Sequence, residues 1–230
     1  MKNFKKIISF MLVAFFTMFT IAPKAFASEG NDCTSTVIED NEFQRIVKAS
    51  DSTGEYTATY NKLTGNIIVV DDNNEKIVDT IATVSVENGS LRPLLGSDIG
   101  GGGGGAELAH SRSDINHRYF YAKYTSGMWS LKVPNGSKTV MQNSSNSSAL
   151  MGFRNAVIDM EAAQLAIMAA GTATMLATVT ANLFKAPYEK GKAAVIAFFG
   201  GLGVLASAGV NAIPYYKATI NANDYYDEAK

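Results

Sequence analysis

His110, Asp114 and His117 have the types and spacing to hold a divalent metal, because on a helix the three would share one face. No fourth ligand accompanies them, and the competing reading is three polar residues in a solvated connection. The acidic run Asp71-Asp-Asn-Asn-Glu75 invites a calcium ion, but Lys76 stands where an EF-hand loop needs glycine, so the run reads as a turn. Six glycines, Gly100 to Gly105, would cradle a phosphate only with a Gly-Lys-Ser/Thr ending and a helix behind it. Ala106-Glu107-Leu108 follows instead, which makes the run a tether or a long loop tip. Val195 to Phe199 followed by Gly201-Leu-Gly203-Val-Leu-Ala206 matches a dinucleotide fingerprint. Only 24 residues remain after Ala206, too few for the rest of such a unit, so a glycine-rich packing helix is the better reading. There is no GxSxG, no HExxH and no cysteine with a motif-placed histidine. The chain is expected to be no enzyme, with no catalytic residues, no cofactor and no metal.

Composition narrows the remaining classes. The 230 residues are 47% apolar and 18% charged, with a net charge of -1, one cysteine and two histidines. A collagen, a disulfide-stapled miniprotein, a zinc ribbon and a basic nucleic-acid binder are excluded, and no nucleic-acid partner is expected. The amino terminus distorts these averages. Lys2, Lys5 and Lys6 precede an apolar run from Ile7 to Phe16 that continues to Ile21, and Ala25-Phe26-Ala27 gives the small-x-small pattern of a cleavage site. Residues 1–27 therefore read as a secretory signal peptide cleaved before Ser28, against the alternative of an uncleaved anchor. Cleavage leaves 16 basic and 21 acidic residues, a net of -5, on an extracellular protein. Cys33 then stands alone near the new terminus, an incidental thiol or a site of intermolecular pairing.

The elements that must position any site fall into two kinds. Residues 28–142 read as a β-rich region. Glu55-Tyr-Thr-Ala-Thr-Tyr60 alternates, Asn61-Lys-Leu-Thr-Gly-Asn66 supplies a turn, Ile67 to Val70 is β-branched, and Lys76 to Glu87 continues the theme. Arg118 to Lys123 and Met128 to Val133 read as aromatic-rich strands around Thr125-Ser126-Gly127, which would place the glycine run inside one domain. Residues 143–148 form a polar linker, and residues 149–230 a helical region with a polar tail. The expected class is α+β: an antiparallel β-rich amino-terminal domain followed by a hydrophobic helical hairpin.

The hairpin rests on two uncharged stretches, Ala162 to Phe184 (23 residues) and Ala193 to Tyr216 (24 residues), joined by Lys185-Ala-Pro-Tyr-Glu-Lys-Gly-Lys192. As a helix the first would measure ~35 Å, against ~30 Å for a hydrocarbon core. Ala169, Ala173, Ala177 and Ala181 recur every fourth residue, and Ala197/Gly201 and Gly203/Ser207 have small-xxx-small spacing, so both helices offer faces for close packing or self-association. The tip carries Lys185, Lys190 and Lys192 against Glu189. An inside-negative potential contributes ~2.3 kcal/mol per charge per 100 mV, so a net of two charges favours passage of the tip by roughly 4–5 kcal/mol. The same asymmetry satisfies the positive-inside rule for a permanent two-span protein.

This layout is similar to the large, unmodified, heat-labile geobacillin-type bacteriocins that Bacillus-like bacteria secrete. The residues that carry the resemblance are the signal ending Ala25-Phe26-Ala27, the Tyr/Thr hairpin ending in Asn66-Ile-Ile-Val-Val70, and above all Phe199-Gly-Gly-Leu-Gly-Val-Leu-Ala-Ser-Ala-Gly-Val-Asn211 with its Tyr-rich tail. It spans the whole chain as an arrangement and the last third as a motif. It implies an antibacterial protein acting on related species, with a target-cell membrane or envelope receptor as partner. The competing readings are a surface-displayed structural or adhesion protein anchored by the same hairpin, and a soluble protein whose hairpin is only core.

Overall fold

The computed structural model describes residues 33–84 and 107–230. The expected signal peptide and cleavage site, the end of the expected Lys76 to Glu87 strand and the glycine run lie outside the described residues. Among the described residues nine strands form two antiparallel meanders. Sheet A holds β1 (Thr34–Asp40), β2 (Gln44–Asp51), β3 (Gly54–Asn61), β4 (Asn66–Asp71) and β5 (Lys76–Ile81), in that order. Sheet B holds β6 (Leu108–Ser113), β7 (Phe120–Tyr124), β8 (Met128–Val133) and β9 (Gly136–Met141).

Turn chemistry sets the registers of sheet A. Asp51 pairs with Gly54 across a two-residue loop, and Asp51 Oδ1 accepts the Thr53 N–H at 2.8 Å. Asn61 Oδ1 accepts the Leu63 and Thr64 N–H groups (2.9 and 3.0 Å), and Gly65 takes φ +72° to re-enter the sheet. Asp71 Oδ1 accepts the Asn73 and Glu75 N–H groups (3.0 and 2.8 Å), so the acidic run is occupied in making its own turn. With these registers fixed, period-two alternation puts Val47, Ala49, Tyr56, Ala58, Ile67 and Val69 on one buried face. Tyr121, Trp129, Leu131 and Val133 form the buried face of sheet B.

Five α-helices follow among the described residues: α1 (Ser147–Ala170), α2 (Ala173–Asn182), α3 (Lys192–Gly201), α4 (Ala206–Val210) and α5 (Ala212–Glu228). α1 packs most extensively on α5, and Gly152 makes that possible, because a Cβ there would lie 2.6 Å from the Tyr225 ring. α1 meets sheet B at β6 and β7, α5 meets it at β8, and α3 lies on β2 and β3 of sheet A. One apolar core runs from Ala49 through Trp129 to Ala229, so the sheets and helices share it. The polar stretch 143–148 is a tight turn into α1: Asn143 Oδ1 accepts the Ser145 and Asn146 N–H groups, and buried Asn146 donates through Nδ2 to the carbonyls of Met141 and Lys230.

The class is therefore α+β, with two antiparallel sheets preceding the helices. The helical region departs from the expected hairpin of two continuous helices. The first uncharged stretch breaks at Gly171, and Thr172 caps the new helix by accepting the Met175 N–H on its Oγ1 (3.3 Å). The second breaks at Gly203 (φ +86°), where Gly203 donates to the Gly200 carbonyl and Val204 to the Phe199 carbonyl, the pattern of a left-handed helix terminus. Among the described residues no helix is long and apolar enough to cross a membrane.

Candidate functional site: a buried apolar helix and its latch

Among the described residues α3 is the most apolar helix, and every residue from Ala193 to Gly201 is buried. A helix apolar on all sides is stable only in a core or in a bilayer. Its seat on sheet A depends on two glycines. A Cβ on Gly200 would lie 2.9 Å from Val47 Cγ1, and one on Gly201 would lie 3.1 Å from Ile67 Cδ1 and 3.3 Å from Ala58 Cβ. The Ala197/Gly201 pair thus belongs to a close-packing face, but its partner is a sheet and not another helix. Gly203 serves the helix terminus, and Ser207 is exposed on α4. The alanine strip splits between two helices, with Ala169 at the end of α1 and Ala173, Ala177 and Ala181 on α2. Ala169 and Ala181 are exposed, and Leu165 and Phe184 in the same uncharged stretch are 53% and 58% exposed, so much of this surface is open.

The approach to α3 is held by polar contacts to sheet A. Asp51 Oδ2 accepts the Ala193 N–H (2.8 Å), which caps α3 from a residue 142 positions away. The Tyr56 hydroxyl donates to the Lys190 carbonyl (2.9 Å), and Gly191, at φ +100°, packs so closely on Thr53 that a Cβ would sit 2.9 Å from its Oγ1. Upstream, Asn182 clamps the end of β5: it accepts the Thr83 N–H on Oδ1 (3.1 Å) and donates Nδ2 to the Thr83 carbonyl (2.7 Å). Lys185 Nζ donates to the Ile81 carbonyl (2.9 Å). Of the tip lysines, Lys185 is thus tied to sheet A, Lys190 is exposed at the end of a 3₁₀ turn (Tyr188–Lys190), and Lys192 opens α3.

Burial pulls the Asp51 carboxyl upward, but hydrogen bonds from the Thr53 side chain and from the Thr53, Ala193 and Gly54 backbones outweigh it and hold the group below the usual carboxylate range. Cys33, half-buried at the start of β1, has its thiol pushed up by burial and then by Asp51, while Lys192 acts in the opposite sense. The latch residues Asp51, Thr53 and Tyr56 carry no local signature. They read as turn and strand residues, and only the tertiary fold brings them to α3.

Beside the latch lies a cleft of about 460 Å³ lined by Tyr188, Glu189, Gly191, Lys192, Ile213, Tyr216 and Lys217. Tyr188 and Tyr216 stack with centroids 3.9 Å apart, and Phe184 stands edge-on to Tyr216 at 5.8 Å. Burial pushes the Tyr188 phenol well up, with Tyr216 and Tyr215 adding to the shift, and its hydroxyl is buried without a hydrogen-bond partner.

The residues that suggested a metal lie elsewhere and apart. His110 is in β6, where its Nδ1 is 2.7 Å from the Tyr121 hydroxyl, and His117 sits in the following loop with Nδ1 3.0 Å from Ser113 Oγ. Asp114 is fully buried between them and is structural: it accepts the Tyr119 N–H (2.7 Å) and Gln164 Nε2 (3.0 Å). Gln164 also donates to the Tyr215 hydroxyl (2.9 Å), so this network joins the β6–β7 loop to α1 and α5. Burial raises the Tyr215 phenol, with Asp114 adding to it against hydrogen bonds from Thr180, Gln164 and Asn116. The residues of the dinucleotide-like run are helical where the fingerprint needs a strand. Compared with known proteins, the chain matches no family model, no curated protein and no solved structure.

Proposed function

We propose that this is a secreted, bacteriocin-like antibacterial protein that acts on the envelope of related bacteria by releasing α3 and its neighbours from sheet A and inserting them as a helical hairpin. The observation that carries the reading is the condition of α3: nine consecutive buried residues without a charge, approached through a few hydrogen bonds at the tip. Moving such a helix from a protein core to hydrocarbon exchanges one apolar environment for another. The polar latch contacts that must break contribute only ~0.5–1.5 kcal/mol each. That is comparable in sum to the ~4–5 kcal/mol by which an inside-negative potential of 100 mV draws the net-positive tip inward. Insertion in this scheme requires the breaks at Gly171, at Gly203 and at Asn211 between α4 and α5 to straighten, restoring the two membrane-length stretches. Leu165 and Ala169 on α1, and Ala181 and Phe184 at the far end of α2, are exposed and uncharged and offer the first apolar contacts.

The test uses a tether. The ideal Cβ position on Gly200 lies 3.6 Å from Val47 Cβ, within the range that a disulfide spans. Val47→Cys/Gly200→Cys in a Cys33→Ser background should staple α3 to β2. Purified protein is applied to lawns of related bacteria and to dye-loaded liposomes held inside-negative. The unstapled protein should kill and cause leakage, and the oxidised staple should do neither until a reductant is added. An unstapled protein that neither kills nor permeabilises removes the proposal, and killing by the oxidised staple removes the insertion step.

A further inference from the structure

We propose that the cleft between the 3₁₀ turn and α5 binds the phosphate-bearing headgroup of an anionic phospholipid. Its size falls within the ~300–1,000 Å³ typical of small-molecule sites, and its walls are of two kinds. The stacked Tyr188 and Tyr216 rings with Ile213 make an apolar wall, while Lys192 and Lys217 outnumber the one acid, Glu189. An aromatic surface beside ammonium groups is the combination favoured where a protein meets the headgroup layer. Phe184 sits at the same place, edge-on to Tyr216 and largely exposed, so it enters the acyl boundary when a headgroup phosphate lies between the lysines. This apolar neighbour is what favours a lipid over a soluble phosphate polymer. The hydroxyl of Tyr188, buried without a partner, also marks this corner as incompletely satisfied in the free protein.

One wall of the cleft is the latch segment itself and the other is α5. Lys192 is the first residue of α3, the Lys190 carbonyl is held by Tyr56, and Ile213, Tyr216 and Lys217 belong to α5. A headgroup drawn between these walls bears directly on the segment that fixes α3. That coupling rests on the insertion proposed above, whereas headgroup binding does not.

Sedimentation with vesicles tests the binding. The full protein is mixed with phosphatidylcholine vesicles and with vesicles containing phosphatidylglycerol, and compared with Lys192→Gln/Lys217→Gln and with a control of equal charge loss, Lys76→Gln/Lys132→Gln. A lysine near an anionic surface contributes about fivefold in affinity, so the cleft variant should bind phosphatidylglycerol vesicles roughly thirtyfold more weakly and the control only a few-fold. Phe184→Ala, at a largely exposed site, should also weaken binding while leaving the urea midpoint close to that of the parent. Equal loss in the two lysine variants reduces the effect to general surface charge and overturns the site. No preference for phosphatidylglycerol in the parent protein overturns it too. Full displacement from vesicles by a soluble glycerol phosphate polymer at equal phosphate overturns the lipid assignment. Cleft-dependent vesicle binding without leakage supports the site while defeating the insertion mechanism, and leakage that ignores the cleft variant does the reverse.

Discussion

Replacing Gly200 and Gly209 by alanine, each alone, applies the same chemical change to two buried helical glycines and should give opposite results. Exchanging glycine for alanine in a helix removes backbone freedom from the unfolded chain and favours folding by about 0.5–1 kcal/mol. At Gly209 in α4 the new methyl would lie 3.5 Å from Phe199 Cβ, an ordinary contact, so that gain survives. At Gly200 the methyl would lie 2.9 Å from Val47 Cγ1, with Val47 Cβ and Cγ2 at 3.6 and 3.7 Å behind it. A valine in a strand has little rotamer freedom with which to retreat, so either α3 lifts or β2 shifts. Overpacking of this kind costs about 1–3 kcal/mol, which leaves a net loss of up to about 2.5 kcal/mol, centred near 1, after the helix gain. Urea unfolding followed by tryptophan fluorescence suits the measurement, because Trp129 is fully buried. The midpoint should rise for Gly209→Ala and fall for Gly200→Ala, with unchanged slopes. If both variants gain stability by similar amounts, α3 does not rest on β2 at this distance, and the account of its seat fails.

Asp51 provides a pH signature. Its carboxyl titrates lower in the folded protein than in the unfolded chain, so its stabilising effect is present above the unfolded value of ~3.9 and fades as pH falls through the folded value. Asp51→Asn should therefore be less stable than the parent at pH 7, and the gap should narrow by pH 3. Asp40, held low chiefly by its hydrogen bond from Lys62, and Asp79, held low chiefly by Lys76, titrate in the same direction but are common to both proteins and cancel. A gap that stays constant from pH 7 to pH 3 contradicts an ionised cap. Asn182→Leu should cost about 2–4 kcal/mol by thermal or urea unfolding, because it removes both hydrogen bonds to Thr83 and a third to the Thr178 carbonyl. A loss below 0.5 kcal/mol, on the order of an ordinary surface change, counts against the clamp.

The strands with strong alternation were open to reading from composition. Tyr56 and Ala58 face the core, Thr57 and Thr59 face away, and the Asn61 and Asp71 turns fall where side-chain-to-backbone hydrogen bonding favours them. Edge strands were harder. Leu-Ala-His-Ser-Arg-Ser of β6 has one bulky apolar residue and is mostly exposed, so its identity comes from pairing with β7 and not from its own pattern. That is why His110 reads as part of a polar connection. The helical breaks illustrate a different limit. Hydropathy summed over Ala193 to Tyr216 is blind to a single residue at positive φ, yet Gly203 ends a helix there and the chain turns back onto α3 and α1. The latch was beyond reach for a simpler reason. A carboxylate in a β-turn and a backbone N–H 142 residues later have no shared local pattern.

The shared core also dictates an order of assembly. Each meander is made of neighbouring hairpins and can pair locally as soon as it is synthesised, but the buried face of sheet A has its lid at residues 192–201. Sheet B is closed by α1 and by α5, whose last turns reach Glu228. A chain that emerges from its amino-terminal end therefore carries two half-built sheets until nearly all of it is out. Consolidation waits on long-range closure, which is slow relative to hairpin formation. Such a polypeptide locks only once its carboxy-terminal helices have been made.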